Sequence, residues 1–317
     1  MKVVALAGGV GGAKLVEGLA RILEPADLTI IVNTGDDFRY SGLAISPDLD
    51  TVCYTLAGLA NQVTGWGVKD ESWNTLNQLK KLGAPAWFNL GDKDLATHIE
   101  RSRLLENGLP LSEITRLFCK KWGIRHTVLP MTDDSVSTKV YDTVGRKLDF
   151  QEYFVKYHWE PIVIKIEFEG IEQAKPAPGV LESIMASDLV VICPSNPYVS
   201  IDPILKLVGV QQLLVEKQVL AISPIIGGQA VKGPLAKMIK ELDGKDASAD
   251  FAAKFYHGES ILKGYILDIV DMELNHEIER WGIICKAVET MMLSTRDRVR
   301  IAEDVLSLGR QMLKEEK

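Results

Sequence analysis

The sequence predicts an α/β chain: a doubly wound, mostly parallel, Rossmann-like sheet with a helical insertion or cap. Three observations support this. Short apolar runs recur along the chain, helix-period segments lie between many of them, and glycine-rich or polar turns follow several runs. Runs that are almost continuously apolar suit strands covered on both faces of a parallel sheet. Right-handed crossovers would join them. The expected organisation is a single α/β domain over 1–317, with the insertion at about 92–122.

The strand candidates, in order, are Val3–Leu6, Leu28–Val32, Ala86–Phe88, Thr127–Leu129, Ile162–Ile166, Leu189–Cys193 and Val219–Ile222. Helical periods fall at Lys14–Leu23, Ser72–Leu82 and Pro178–Ala186. From Asp92 to Trp122 the alternation stops. Two amphipathic helices are expected there, around a Gly-Leu-Pro turn at Gly108. The segment Arg296–Lys317 reads as a further amphipathic helix, with Ser294 or Thr295 as its N-cap. Internal repeats and low-complexity tracts are absent from the sequence.

Composition bounds the function. Hydrophobic residues make up 46% and charged residues 25%, ordinary values for a globular protein. The 36 Lys+Arg against 43 Asp+Glu leave a net charge of −7, which argues against a dedicated nucleic-acid binder. A phosphate ligand needs only a few local donors and is compatible with that balance. Cys53, Cys119, Cys193 and Cys285 show no zinc-clip spacing and read as reduced thiols of a cytoplasmic protein. The N-terminal apolar run meets glycines too soon for a signal peptide, and Thr51–Val68 is too polar to span a membrane.

The turns carry the chemistry. "LAGGVGGAKL" follows the first strand. It fails the P-loop pattern, because Ala13 and Leu15 stand at the second glycine and at the hydroxyl position. It fails the dinucleotide pattern too, since Lys14 stands where the third glycine belongs. The physics of both survives: glycines let the backbone approach a ligand, and a helix then begins with free N–H groups. Gly9, Gly11, Gly12 and Lys14 are therefore phosphate-binding candidates.

"NTGDDFRYSGLAISPDLDTV" follows the second strand and holds Asp36, Asp37, Asp48 and Asp50. Clustered aspartates beside a phosphate site favour a hard cation such as Mg2+. One of them can instead take a proton from an attacking hydroxyl. Each alone also suits a turn or cap, and Asp50 precedes an apolar, helix-like run. "WFNLGDKDLATH" brings Asn89, with Asp92 and Asp94 as caps or ligands; His98 has no evident partner and reads as structural. "CPSNPYVSIDPIL" sets Ser195 and Asn196 between prolines. "AISPIIGGQAVKGPL" offers Gly227, Gly228 and Lys232 as a second phosphate-binding group. Several polar strand-end loops in one chain point to a shared cleft.

Together with "GWGVKDESWN" and "LPMTDDSVSTKV", these motifs resemble the 2-phospho-L-lactate transferase (CofD-like) family of coenzyme F420 biosynthesis, over the whole chain. The resemblance implies a donor, lactyl-2-diphospho-5′-guanosine or a close relative, and an acceptor, the deazaflavin Fo. The terminal ribityl hydroxyl of Fo would attack the phosphorus bearing the lactyl group, releasing GMP and forming F420-0. Mg2+ is the implied cofactor and a homodimer the implied assembly. On this pattern Asp36 and Asp50 are the metal candidates, Asp50 and Asp37 the catalytic ones, and Asp50 and Asn89 the Fo contacts. Ser195, Asn196, Gly227, Gly228 and Lys232 would hold the guanosine nucleotide and its phosphates. The YvcK-like gluconeogenesis factors share a related glycine opening and the N-T-G-D-D loop, so a non-catalytic nucleotide-sugar-binding protein is the alternative. An NAD(P)-dependent oxidoreductase fits less well, for want of the third glycine.

Overall fold

A computed structural model describes residues 1–315. Its centre is a seven-stranded sheet in which every neighbouring pair is parallel. Strand β1 (Val3–Ala7) lies in the interior of the sheet. On one side lie β2 (Leu28–Val32) and then Thr127–Pro130. On the other lie Leu189–Ile192, Val219–Ile222, Gly264–Asp268 and Ile284–Val288, in that order. The chain runs outward from β1 in one direction and then returns to build in the other. The order reverses between β1 and Leu189–Ile192, the place where open α/β sheets bind ligands.

Alternation along β1 sends side chains to two cores. Val4 and Leu6 pack with Ile184, Val210 and Tyr256 on one face. Val3, Ala5 and Ala7 pack with Leu15, Leu19, Ile301 and Val305 on the other. Helix α1 (Gly9–Ile22) and the helix Thr295–Glu315 cover that second face. They approach closely because Gly18 lacks a side chain: a Cβ there would stand 2.0 Å from the Arg298 carbonyl oxygen. Arg298 in turn pairs with the buried Glu17. Ser294 starts the C-terminal helix, as expected, in a reciprocal cap. Its Oγ accepts from the Asp297 amide at 3.3 Å, and the Asp297 carboxylate accepts from the Ser294 amide at 2.8 Å. Ser294→Ala should lower stability by about 1 kcal/mol, measured by urea unfolding. Residues 316 and 317 of the expected helix lie outside the described residues.

Between β2 and Thr127–Pro130 come the hairpin Phe38–Tyr40/Leu43–Ile45 and helices α2 (Pro47–Leu56), α3 (Asn74–Lys81), α4 (Asp92–Glu106) and α5 (Leu111–Lys121). The last two form the expected helical insertion. Two strand expectations change, and two strands are added. Ala86–Phe88 is an irregular segment. Its aromatic side chains pack on the hairpin instead, with Trp87 stacked on Phe38 and edge-on to Tyr40. The Tyr40 hydroxyl donates to the Pro85 carbonyl at 2.6 Å. Ile162–Ile166 belongs to Val163–Glu169, a strand of a separate antiparallel sheet with Ser137–Asp142 and Lys147–Asp149. Several of its residues face solvent, which a central parallel strand would not allow. Gly264–Asp268 and Ile284–Val288 are further parallel strands beyond those expected. Lys286 interrupts the apolar pattern of the second, which lies at the sheet edge.

Candidate active site

Because the seven strands are parallel, their carboxyl ends share one edge. The glycine loop leaves β1 at that edge, and Pro194–Asn196 leaves the neighbouring strand beside it. Ser195 ties the two together: its Oγ donates to the Gly8 carbonyl at 2.7 Å and accepts from the Gly8 amide at 3.2 Å. Gly9 has φ +63°, a left-handed turn that glycine makes without strain. Gly11 and Gly12 then pack so tightly that a Cβ would stand 2.3 Å from the Pro194 carbonyl and 2.8 Å from Ser195 Oγ respectively. Helix α1 therefore starts directly at the sheet reversal.

Acidic residues line one flank of this helix start. A Cβ on Gly8 would stand 2.6 Å from Asp48 Oδ2. Asn33, at the end of β2, donates to Asp48 at 3.0 Å and accepts from the Gly35 amide at 2.9 Å. Burial pushes the Asp48 carboxyl up to about 6, with the Asn33 and Gly9 hydrogen bonds opposing the rise. Asp36 is held well above the usual carboxylate range by burial and then by the Asp48 charge. Burial raises Asp37 as well, against the hydrogen bond from Ser46, whose hydroxyl donates to Asp37 Oδ2 at 2.6 Å. The Oδ1 atoms of Asp36 and Asp37 are buried without a hydrogen-bond partner. Such atoms are costly unless a ligand or cation satisfies them.

Cations line the other flank. Lys14 Nζ donates to the Met292 carbonyl at 2.9 Å, and Lys232 Nζ to the Thr64 carbonyl at 2.9 Å. The Lys14 pKa is lowered by burial and then by Arg298; that of Lys232 is lowered by burial and then by Lys14. The three positive groups sense one another, and an anion placed between them would relieve that repulsion. The loop at Thr64–Gly65 closes over this flank. A Gly65 Cβ would meet Val10 at 2.9 Å and Lys232 Nζ at 3.0 Å.

Other expected residues are placed differently. Asp50 does not cap α2; it sits inside the first turn, its amide bonded to the Ser46 carbonyl at 2.9 Å. Nor do its hydrogen bonds run to Asp36. Both of its oxygens pair with Arg101, one at 3.0 Å. Asn196 caps the following turn, accepting from the Tyr198 amide at 3.0 Å. Gly227 and Gly228 both have positive φ and form the tight turn between Ile225–Ile226 and Gln229–Ala230. The Gly227 amide is bonded to Asp271 at 2.9 Å. Asn89 is exposed on the aromatic segment beside the hairpin. Asp92 caps α3 rather than its own helix, accepting from the Asn74 and Thr75 amides at 3.0 Å each.

Sequence reasoning missed one network. His98 is buried between two carboxylates, with Nε2 3.2 Å from Asp94 and Nδ1 3.7 Å from Asp50. Asp94 also accepts from the Tyr54 hydroxyl at 2.7 Å. The positions 94, 98 and 101 share one face of α4, a spacing readable from the sequence. Asp50, Asp94 and His98 bring one ligand atom each within 4.8 Å of the others. Arg101 and Tyr54 also hydrogen-bond to this group.

No helix among the described residues is long and apolar enough to cross a membrane. Solved structures confirm the architecture. Protein BH3568 from Bacillus halodurans, of the UPF0052 family, superposes with a TM-score of 0.65 at 18% identity, covering 96% of this chain and 99% of that one. At that identity the likeness concerns the fold. Sequence relatives say more. A protein of Streptomyces griseus named phosphoenolpyruvate transferase is 42% identical over 98% of this chain and 99% of its own length. A protein of Methanocaldococcus jannaschii named 2-phospho-L-lactate transferase is 40% identical over 96% and 97% respectively. The family model described as 2-phospho-L-lactate transferase CofD matches residues 3–278. The glycine loop, the acid cluster and the Ser195 turn all fall within that match, and the chain belongs to the CofD family, transferases of coenzyme F420 biosynthesis.

Proposed function

We propose that this protein transfers a phospho-acid group from a guanylylated donor to the terminal ribityl hydroxyl of Fo, with release of GMP. One observation carries the reading: buried Asp48 stands against the start of helix α1, its acidic neighbours Asp36 and Asp37 keep unpartnered Oδ1 atoms, and Lys14 and Lys232 lie close enough to sense each other. An anionic diphosphate suits the amides and lysines. A hard cation suits the carboxylates, all of them oxygen donors. Asp36, with Asp48, would hold Mg2+, which when bound supplies the positive charge that draws the diphosphate toward an otherwise repelling acid cluster.

The chain's own residues then do the following. The amides at Gly11 and Gly12 and the Lys14 and Lys232 ammonium groups would hold the phosphates and stabilise charge on the leaving GMP, with Gly9, whose amide bonds Asp48, shaping the turn. Ser195 keeps the glycine loop at a fixed distance from the neighbouring strand. Asp37 retains one oxygen free of protein partners and takes the proton of the ribityl hydroxyl as its oxygen bonds to phosphorus. The bond from that phosphorus to the GMP oxygen breaks, and GMP leaves with both electrons. Asn89, exposed beside the Phe38–Ile45 hairpin, would contact the acceptor, while Asp50, buried and paired with Arg101, would act on it only through the α2 turn. Positioning and charge neutralisation supply most of the acceleration in such transfers.

The names of the relatives divide between phosphoenolpyruvate and phospho-L-lactate. The deciding assay mixes protein, Fo and Mg2+ with guanylylated phospholactate, phosphoenolpyruvate or phosphoglycerate, and follows GMP and product mass. GMP release coupled to a deazaflavin phosphodiester is expected with one of these donors. No GMP with any donor would overturn the reading.

A further inference from the structure

Arg101 is among the largest fully buried side chains of the protein, with 2% of its surface exposed. It projects from the inserted helix α4 toward the first turn of α2. Its Nη1 lies 3.0 Å from Asp50 Oδ2, 3.2 Å from His98 Nδ1 and 3.4 Å from the Ala44 carbonyl, while Nη2 pairs with Asp50 Oδ1. This is the two-pronged geometry by which a guanidinium fixes a carboxylate in orientation as well as position. A neutral His98 fits with Nδ1 accepting from Arg101 and Nε2–H donating to Asp94, a tautomer assigned from these partners. The turn so held carries more than Asp50. Ser46, its N-cap, donates to Asp37, and Asp48 lies against Gly8. Buried ion pairs contribute little net stability against apolar packing of the same volume, so a pair this deep points to specificity of arrangement.

We propose that Arg101 is a positioning residue for the transfer. It spends both oxygens of Asp50, keeps that carboxylate out of cation coordination, and thereby holds the α2 turn so that Asp37 and Asp48 face the phosphates. The proposal deepens the transferase reading above and rests on it. Arg101 itself touches neither the cation nor the reacting atoms.

The test compares wild type, Arg101→Met, Arg101→Lys, Asp50→Asn and the double variant Arg101→Met/Asp50→Asn. Arg101→Met should lower kcat by about 100-fold, with the donor KM changed by less than about threefold. Arg101→Lys should recover part of the loss. The double variant should fall no further than the worse single one, because both act through one contact. Losses that multiply in the double variant, or an Arg101→Met enzyme with wild-type kcat, would overturn the proposal. A second readout needs no turnover. Mn2+ titration followed by electron paramagnetic resonance should show tighter binding to Arg101→Met, by about tenfold, because Asp50 is released to the ion. Unchanged Mn2+ affinity in a variant with a native thermal midpoint also overturns it; where Arg101→Met does not fold, Arg101→Lys serves for the same titration. Should wild type release no GMP with any donor, the transferase reading fails, and the Mn2+ comparison still decides whether Arg101 withholds Asp50.

Discussion

Asp36→Asn is expected to lower turnover by about 100-fold or more, while GMP affinity measured by calorimetry changes by less than about threefold. The asymmetry follows from placement. Asp36 lies in the buried acid group after β2, whereas the amides and lysines proposed to hold phosphate belong to other elements. Its carboxyl is held high by burial and by Asp48, so the charged form is costly until a cation shares it. The same reasoning gives a pH test on Asp48. Its carboxyl moves from an ordinary 3.8 to about 6 in the folded chain. Between those values the folded state keeps a proton that the unfolded state has released. Stability is therefore lost as pH rises through that window, and the full cost is present above it. Asp48→Asn should raise the thermal midpoint of the metal-free protein near about pH 7.5 and leave it almost unchanged near about pH 4. Mg2+ should raise the wild-type midpoint more at the higher pH, and less in the variant. Equal Mg2+ increments at both pH values would refute the assignment of the acid cluster to a cation.

Gly11→Ala should cost about 3 kcal/mol of stability and weaken nucleotide binding by about tenfold or more. The new methyl would lie 2.3 Å from a backbone carbonyl oxygen, that of Pro194, which cannot swing aside as a long side chain can. Either α1 or the Pro194 turn must shift, and Ser195, which clasps Gly8, moves with that turn. Gly258→Ala is the matched control. It ends a helix, and its Cβ would meet nothing within 4 Å, so stability should be unchanged or slightly improved. A Gly11→Ala protein that melts and binds GMP like wild type would show that the loop tolerates the displacement.

How far was this legible beforehand? Strand β1, its glycine loop and β2 could be read at once, because apolar runs buried on both faces leave a plain signal. The position of Ser195 beside Gly8 was not, since strand order depends on which runs pair across 187 residues of chain. Asp36 and Asp37 stood out by charge, but the roles of Asp48 and Asp50 did not separate. What separates them is Arg101, fifty-one positions beyond Asp50 and on another helix. Gly227 and Gly228 show an ambiguity of a different kind. A glycine pair before a lysine suggests a phosphate cradle, yet positive φ at both positions marks a hairpin turn. His98 was legible in principle, because Asp94, His98 and Arg101 fall on one helical face. That stripe is polar and buried, and a search for apolar stripes passes over it.

The clasp between Ser195 and Gly8 has a consequence for synthesis on the ribosome. The glycine loop leaves the exit tunnel well before its partner, which follows 187 residues later. The helix that packs on α1 comes later still, from Thr295 onward. A nascent chain halted before the Leu189–Ile192 strand therefore carries every glycine of the loop without the Ser195 clasp that fixes it. The proposed donor site would be completed only late in translation, when the two arms of the sheet meet at β1.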